Sequence, residues 1–204
     1  GFSRYAVDAE WHIPHFEKMG YDNGQLISLY AQAHREEPKA LYQETIDKTI
    51  SFLKKELYTP EGGFYAALDA DSLNANQKLV EGAFYVWTKN EIQELFPKEY
   101  LQVAAYYAIN DDGYWEDGNY VLRRMQTDEV FAKLHGLELS ELKVKVIRWN
   151  VTLLKERNKR ARPRLDDKII CSWNAILSSG FLDAYRSFGD SAYKDLALKN
   201  LAFI

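Results

Sequence analysis

The chain has 204 residues, 47% of them hydrophobic and 27% charged, with a formal net charge of -4 at pH 7. That balance can bury a sizeable core and gives no long-range pull toward nucleic acid or anionic lipid, so neither partner is expected. No apolar run approaches the roughly 20 residues of a membrane span, the first residues lack a signal-peptide layout, and a lone Cys171 excludes an internal disulfide. A soluble, cytoplasmic protein is the expectation.

In chain order, Leu26, Leu29, Tyr30 and Ala33 recur at helical spacing and predict a helix from about Asn23 to Arg35, closed by Glu37-Pro38. Tyr42, Ile46, Ile50, Leu53 and Leu57 predict a second helix ending before Pro60 and Gly62-Gly63, so the two form an αα-hairpin. The segment from Gly62 to Thr88 reads as a long loop. Its aromatic alternations, Phe64-Tyr65 and Phe84-Tyr85-Val86-Trp87, predict a small β-hairpin on the rim of the fold. Short helices are expected near Lys89 to Phe96, Lys98 to Ala108 and Asp128 to His135, with a turn-rich loop at Asn110 to Asn119 and a strand at Tyr120 to Arg123. Leu142, Val146, Trp149 and Leu153 mark a long helix, and the basic run Lys155 to Arg164 follows it. The next helix, Ser172 to Phe188, carries Leu177, Phe181, Ala184, Tyr185 and Phe188 on one face, with Ser178, Ser179 and Gly180 allowing close backbone approach. A last helix starts near Ala192.

An internal repeat organises these elements. Setting Asn23 on Asn174, 151 positions on, aligns an aromatic-containing lead-in, the Asn and the Leu three residues later, and it brings Ala33 and Arg35 onto Ala184 and Arg186. The phrase Gly1-Phe2 recurs loosely at Gly63-Phe64. A helix that starts the same way twice, with helical hairpins between, points to a ring or solenoid of helix pairs. The chain stops within a helix, so a single domain spanning 1–204 and belonging to a longer protein is expected.

Three phrases could carry chemistry. Trp11, His12, His15, Glu17, Lys18, Asp22 and Asn23 lie around a helix start, where unpaired N–H groups favour anions; His12 and His15 suit proton transfer, or His15 and Asp22 simply tie down the loop and cap the helix. Asp69 and Asp71, with Glu81 returning ten residues later, could act as acid and base or as turn-shaping residues; Leu73, Asn74 and Val80 stand where an EF-hand needs an oxygen ligand, Gly and Glu, so calcium is not expected. Arg162, Arg164, Asp166, Asp167, Lys168, Trp173 and Asn174 bring fixed positive charge, acids and an indole to a second helix start. There Lys155, Arg157, Lys159 and Arg160 would neutralise the preceding helix, Asp166 or Asp167 would cap the next, and Cys171 reads as a small buried hydrophobe. No nucleotide motif, metal site or cofactor is expected.

Together, Trp11-x-x-Pro-His-Phe-Glu-Lys-Met-x-Tyr-Asp-Asn23, Asp69-Ala-Asp-Ser72, Glu81-Gly-x-Phe-Tyr-Val-Trp87 and Asp166-Asp-Lys-x-x-x-x-Trp-Asn174 resemble the thioredoxin-domain-containing proteins related to spermatogenesis-associated protein 20. The resemblance implies an all-α fold, a partial (α/α) toroid of the six-hairpin glycosidase type, and a thioredoxin-like domain elsewhere in the full-length protein as a partner. Because the three phrases sit on helix-entry loops that such a fold collects at one end of its barrel, a sugar is the expected small-molecule ligand, with a glycosidase-like or 2-epimerase-like activity. In that reading His15, Asp69, Asp71 and Asp167 are catalytic, while Trp11, His12, Asp22, Asn23, Glu81, Trp87, Arg164, Lys168, Trp173 and Asn174 bind substrate. The rival reading is a non-catalytic scaffold that binds partners alongside the thioredoxin-like domain.

Overall fold

The computed structural model describes residues 1–204. In chain order its elements are β1 (Lys18–Met19), α1 (Gly20–Glu36), α2 (Ala40–Glu56), β2 (Ala67–Leu68), β3 (Asp71–Leu73), β4 (Leu79–Glu81), β5 (Trp87–Thr88), α3 (Lys89–Leu95), α4 (Tyr100–Tyr106), β6 (Asn119–Tyr120), α5 (Asp128–Leu134), α6 (Leu139–Arg157), β7 (Leu165–Asp166), α7 (Cys171–Phe188) and α8 (Ser191–Phe203). The all-α class holds: helices carry the structure, and no strand exceeds three residues. The chain divides into two compact units, one made of 1–5, 15–70 and 163–204, the other of 6–14 and 71–162.

In the first unit two helical hairpins, α1/α2 and α7/α8, pack side by side through α1 and α7. The expected face of α1, centred on Leu26, Leu29 and Tyr30, is not the buried one. Gly20, Asn23, Gly24, Ile27 and Ala31 are buried instead, and Leu29 is exposed. Small residues let the two backbones meet, a signal that a search for large apolar side chains passes over. A Cβ on Gly180 would come within 2.4 Å of the Gly24 carbonyl, and one on Gly24 within 3.0 Å of the Leu177 backbone. Further along, the Ser28 hydroxyl donates to Asp183 and the Ser187 hydroxyl to the Ala31 carbonyl, so α1 and α7 run parallel. Around this seam Ile46, Ile50, Leu53, Leu57, Phe64, Leu177, Phe181 and Ala184 close the core.

The sequence repeat is a structural repeat. Asn23 and Asn174 are both buried, and each clips an extended phenylalanine by both of its backbone groups. Phe2 N–H donates to Asn23 Oδ1 at 2.7 Å while Asn23 Nδ2 donates to the Phe2 and Met19 carbonyls; Phe64 N–H donates to Asn174 Oδ1 at 2.8 Å while Asn174 Nδ2 donates to the Phe64 and Ile170 carbonyls. An Asn amide offers one carbonyl and two N–H donors, and all three functions are used. The glycine before each phenylalanine lies against a ring, Phe52 for Gly1 and Phe203 for Gly63, and those two rings are again 151 positions apart. Phe2 and Asn23 are separated by 21 residues, Phe64 and Asn174 by 110. The difference is a long insertion, and it accounts for most of the second unit.

A three-stranded antiparallel sheet, β1-β2-β7, stands just before the N-terminal ends of α1 and α7. The expected β-hairpin exists in the second unit but uses other residues, β3 pairing with β4 with Asp71 opposite Glu81. The Asn74 carboxamide closes its turn by accepting from Asn76 and Lys78 N–H. The aromatics that suggested strands are core residues: Phe64 is clipped by Asn174, Phe84 is buried, and only Trp87 enters a strand, β5, which pairs with β6.

The second unit packs Trp87, Ile92, Phe96, Val103, Tyr106, Tyr107, Phe131, Leu142, Trp149 and Leu153 into its own core. A capping box, Thr88 with Glu91, starts α3. Lys155 and Arg157 of the basic run stand in the last turn of α6 as expected, but Arg157 and Arg160 are also built into the core of this unit. The Arg160 guanidinium lies 4.0 Å from the Trp87 ring centroid, donates to the Val86 carbonyl at 2.6 Å and pairs with Glu91, while Arg157 lies over Phe84 and Tyr85. Burial lowers the pKa of Arg157 and pushes the Tyr85 phenol up to about 12.

Candidate functional site

The most developed polar cluster in the first unit gathers around the sheet and the first turn of α1. β1 pairs with β2 with Lys18 opposite Leu68, and β2 with β7 with Leu68 opposite Leu165. Glu17, Asp69 and Arg164 therefore share the next row. In antiparallel neighbours such a row keeps side chains on one face, about 5 Å apart at Cβ. Asp69 N–H donates to the Arg164 carbonyl at 2.9 Å, and the Asp69 carboxylate stands 3.6 Å from the Arg164 guanidinium. Glu17 pairs with Arg4 at 3.3 Å and lies 3.7 Å from His15 Nε2, while His15 stacks on Tyr5 with ring centroids 4.8 Å apart.

Asp22 is the unusual member. It sits in the first turn of α1, yet the N-cap of that helix is Met19, with no side-chain cap, so Asp22 is not spent on capping. Its Oδ2 is buried without a hydrogen-bond partner. Burial raises its pKa above the ordinary aspartate value, and Glu17 adds to the rise, while Arg4 and the Tyr21 hydroxyl pull the other way. Arg4 is held charged chiefly by Tyr21 and then by Glu17. Beside this carboxyl, the rings of Tyr21 and Trp173 meet at 4.7 Å between centroids, tilted by 60°. α1 and α7 each contribute one ring, so the pair follows from the repeat that aligns the two helix starts.

Other expected site residues of the first unit divide into frame and surface. Asn23 and Asn174 are buried and occupied by the phenylalanine clips, which takes them away from any ligand. Asp167 is exposed beside β7 and makes no hydrogen bond or ion pair, and Lys168 pairs with Asp166 at 2.9 Å. Neither Asp166 nor Asp167 caps α7, whose N-cap is Ile170, and Cys171 is exposed at the first position of that helix rather than buried. Arg4 is not singled out by the sequence; Glu17 stands in the first of the three phrases and Tyr21 leads into Asp22, but neither carries an assigned role there.

In the second unit, Trp11 is 83% exposed at the tip of a loop and has φ of 54°, a left-handed conformation rare for a large side chain. Asp8 holds that loop by accepting from the Glu10, His12 and Ile13 N–H groups, the His12 bond doing most to lower its pKa. His12 Nε2 is buried without a partner. Trp87 is buried beneath Arg160 and so does not face a ligand. Asp71 and Glu81 belong to the β3-β4 hairpin, and Glu81, Glu91, Trp115 and Arg160 help to line a cleft of about 770 Å³ within this unit. Across the chain no group of three His, Cys, Asp or Glu is arranged to hold a metal ion, and no helix is long and apolar enough to cross a membrane.

The chain has named homologues. It is 37% identical to an uncharacterised protein of Caenorhabditis elegans, over the whole of this chain and 31% of that protein. It is 32% identical to the human and mouse proteins called spermatogenesis-associated protein 20, over 89% of this chain and about a quarter of theirs (26% and 25%). The chain thus spans under a third of the length of these relatives. No family model matches it. Among solved structures, cellobiose 2-epimerase from Spirochaeta thermophila is similar at 16% identity, covering 94% of this chain and 60% of that one, with a TM-score of 0.26.

Proposed function

We propose that the first unit is the ligand-binding end of a carbohydrate-active (α/α) domain, with Asp22 as its acid. The observation that carries this reading is the Asp22 carboxyl, half-buried in a polar cluster with one oxygen unpartnered and its pKa raised. A carboxyl that stays protonated longer than its neighbours is suited to giving up a proton, and an ion-paired carboxylate nearby is suited to receiving one. Tyr21 and Trp173 supply the apolar faces on which a sugar ring stacks while its hydroxyls meet Glu17, Arg4 and His15.

In a hydrolysis, Asp22 protonates the leaving glycosidic oxygen, the bond to the anomeric carbon breaks, and water adds to that carbon. Glu17, or Asp69 in the same sheet row, takes the proton that the water sheds. Retention corresponds to carboxyls about 5 to 5.5 Å apart and inversion to about 6.5 to 9.5 Å. His15, stacked on Tyr5 and beside Glu17, is the group positioned for the proton transfers of an epimerisation.

The experiment is to incubate the protein with a panel of neutral oligosaccharides and follow the anomeric protons by NMR, for the wild type, Asp22→Asn and Glu17→Gln. Turnover lost by about a hundredfold or more in Asp22→Asn supports the assignment. Turnover equal in wild type and Asp22→Asn, or no change in any sugar, overturns it.

A further inference from the structure

The second unit holds a cleft of about 770 Å³ that the proposed function leaves unused. Its size falls within the range of about 300–1,000 Å³ usual for small-molecule sites. Every lining residue lies between 71 and 162, and none belongs to the Asp22 cluster. Its walls are the β3-β4 hairpin, the turn from Trp115 to Asn119 and the chain just after α6.

Charge decides what the cleft can take. Its lining acids are Glu81, Glu91, Glu116 and Asp117 and its bases are Lys159 and Arg160, a balance of four against two that disfavours anions. A cation gains little. Glu91 is held by Arg160 at 2.8 Å and by the Thr88 N–H, while Glu116 and Asp117 are exposed, where water weakens any ion pair. Lys159 already pairs with Glu156, and the Arg160 guanidinium is spent on three carbonyls, on Glu91 and on the Trp87 ring. What the walls still offer is neutral: the half-buried indole of Trp115 and the carboxamides of Asn76, Gln77 and Asn119, which make no side-chain hydrogen bond within the fold. A carboxamide donates and accepts at once, as a sugar hydroxyl does, and an indole supplies an apolar face for a ring.

Gln77 adds a second observation. It occupies the left-handed position of the hairpin turn, with φ of 58°, and its N–H donates to the Asn74 carbonyl at 3.0 Å. Glycine is the residue such a position favours, so the turn itself does not call for this side chain. Backbone strain of this kind collects at ligand sites, and here the strained residue lines the cleft.

We propose that this cleft is a second saccharide site, binding a short neutral oligosaccharide without cleaving it. Trp115 stacks on a pyranose ring, and Asn76, Gln77 and Asn119 hydrogen-bond its hydroxyls.

The test titrates the full-length protein carrying Trp173→Ala, which removes the indole of the first unit's site, with cellotriose, maltotriose and chitotriose by isothermal calorimetry. Spermidine and trilysine are the cation probes. The expected result is that at least one trisaccharide binds, indifferent to added salt, and that Trp115→Ala weakens it by about tenfold. Gln77→Gly should weaken binding by about threefold or more while its Tm equals or exceeds that of its parent, a split that a merely structural Gln77 would not give. If Trp115→Ala does not fold, Gln77→Gly decides alone. The proposal is overturned if no trisaccharide binds, if either folded variant binds as its parent does, or if spermidine or trilysine binds in place of the sugars. Because Trp173→Ala is present throughout, failure here leaves the Asp22 reading standing, and failure of that reading leaves this test unchanged.

Discussion

Asn23 and Asn174 perform the same task 151 positions apart: each holds both backbone groups of a phenylalanine and the carbonyl four residues back in its own helix. α1 and α7 start at that same offset, as do α2 and α8. A buried amide that satisfies three backbone groups at once fixes where a helix begins relative to the strand before it, and here it does so in both hairpins.

Replacing Asn174 with Ala should destabilise the protein by about 2–4 kcal/mol, since the Phe64 N–H and C=O lose their partners in a buried site. Asn23→Ala should likewise destabilise, since it frees the Phe2 N–H and C=O in the matching clip. Urea unfolding of the two variants checks the size.

Gly180→Ala should destabilise by about 3 kcal/mol or more. The added methyl would meet the Gly24 carbonyl at 2.4 Å, and a carbonyl in a packed helix cannot move away cheaply. Thermal unfolding, with Ser179→Ala on the exposed neighbouring position as control, gives the comparison.

These two sites show what the sequence makes legible. The repeated Asn is visible because a polar residue at a matched place among apolar ones stands out, and Gly180 is visible as a small residue on an otherwise large-residue face. The seam on α1 is hidden because its members, Gly20, Gly24 and Ala31, carry no hydrophobic signal, while the eye is drawn to Leu26 and Leu29. Trp87 reads as a stacking platform until Arg160, 73 residues later, is found lying on it. The raised pKa of Asp22 is hidden for a related reason: it depends on burial of one carboxyl oxygen and on Glu17, with Arg4 opposing, and the proximity of these groups is a product of folding. The long insertion between Phe64 and Asn174 also disguised the hairpin, since its aromatic alternations belong to two cores rather than to paired strands.

Arg160→Ala should destabilise the second unit by about 2–3 kcal/mol, through loss of the Val86 carbonyl bond, the Glu91 pair and the Trp87 contact. Arg160→Lys should recover less than half, because an ammonium cannot stack on Trp87 and reach those oxygens together. Trp fluorescence during denaturant unfolding reports the effect.

Asp22 should also leave a mark on the pH dependence of stability. Its folded pKa lies above the ordinary value near 3.8, so the folded state holds the proton more tightly than the unfolded state. Stability from this group is therefore fully present below that value and declines as pH rises through the folded pKa. Asp22→Asn removes the decline, so the variant should gain Tm relative to the wild type at pH 7, and the gain should vanish below about pH 3.8. Scanning calorimetry of wild type and variant between pH 3 and 8 measures it.

The measurement that bears most directly on the account is isothermal calorimetry of the protein with neutral mono- and disaccharides, repeated with Trp173→Ala. The account predicts that at least one sugar binds and that removing the indole facing Tyr21 weakens it by about tenfold or more. Absence of binding across the panel, or binding that Trp173→Ala leaves unchanged, would contradict the assignment of a sugar site to the N-terminal ends of α1 and α7.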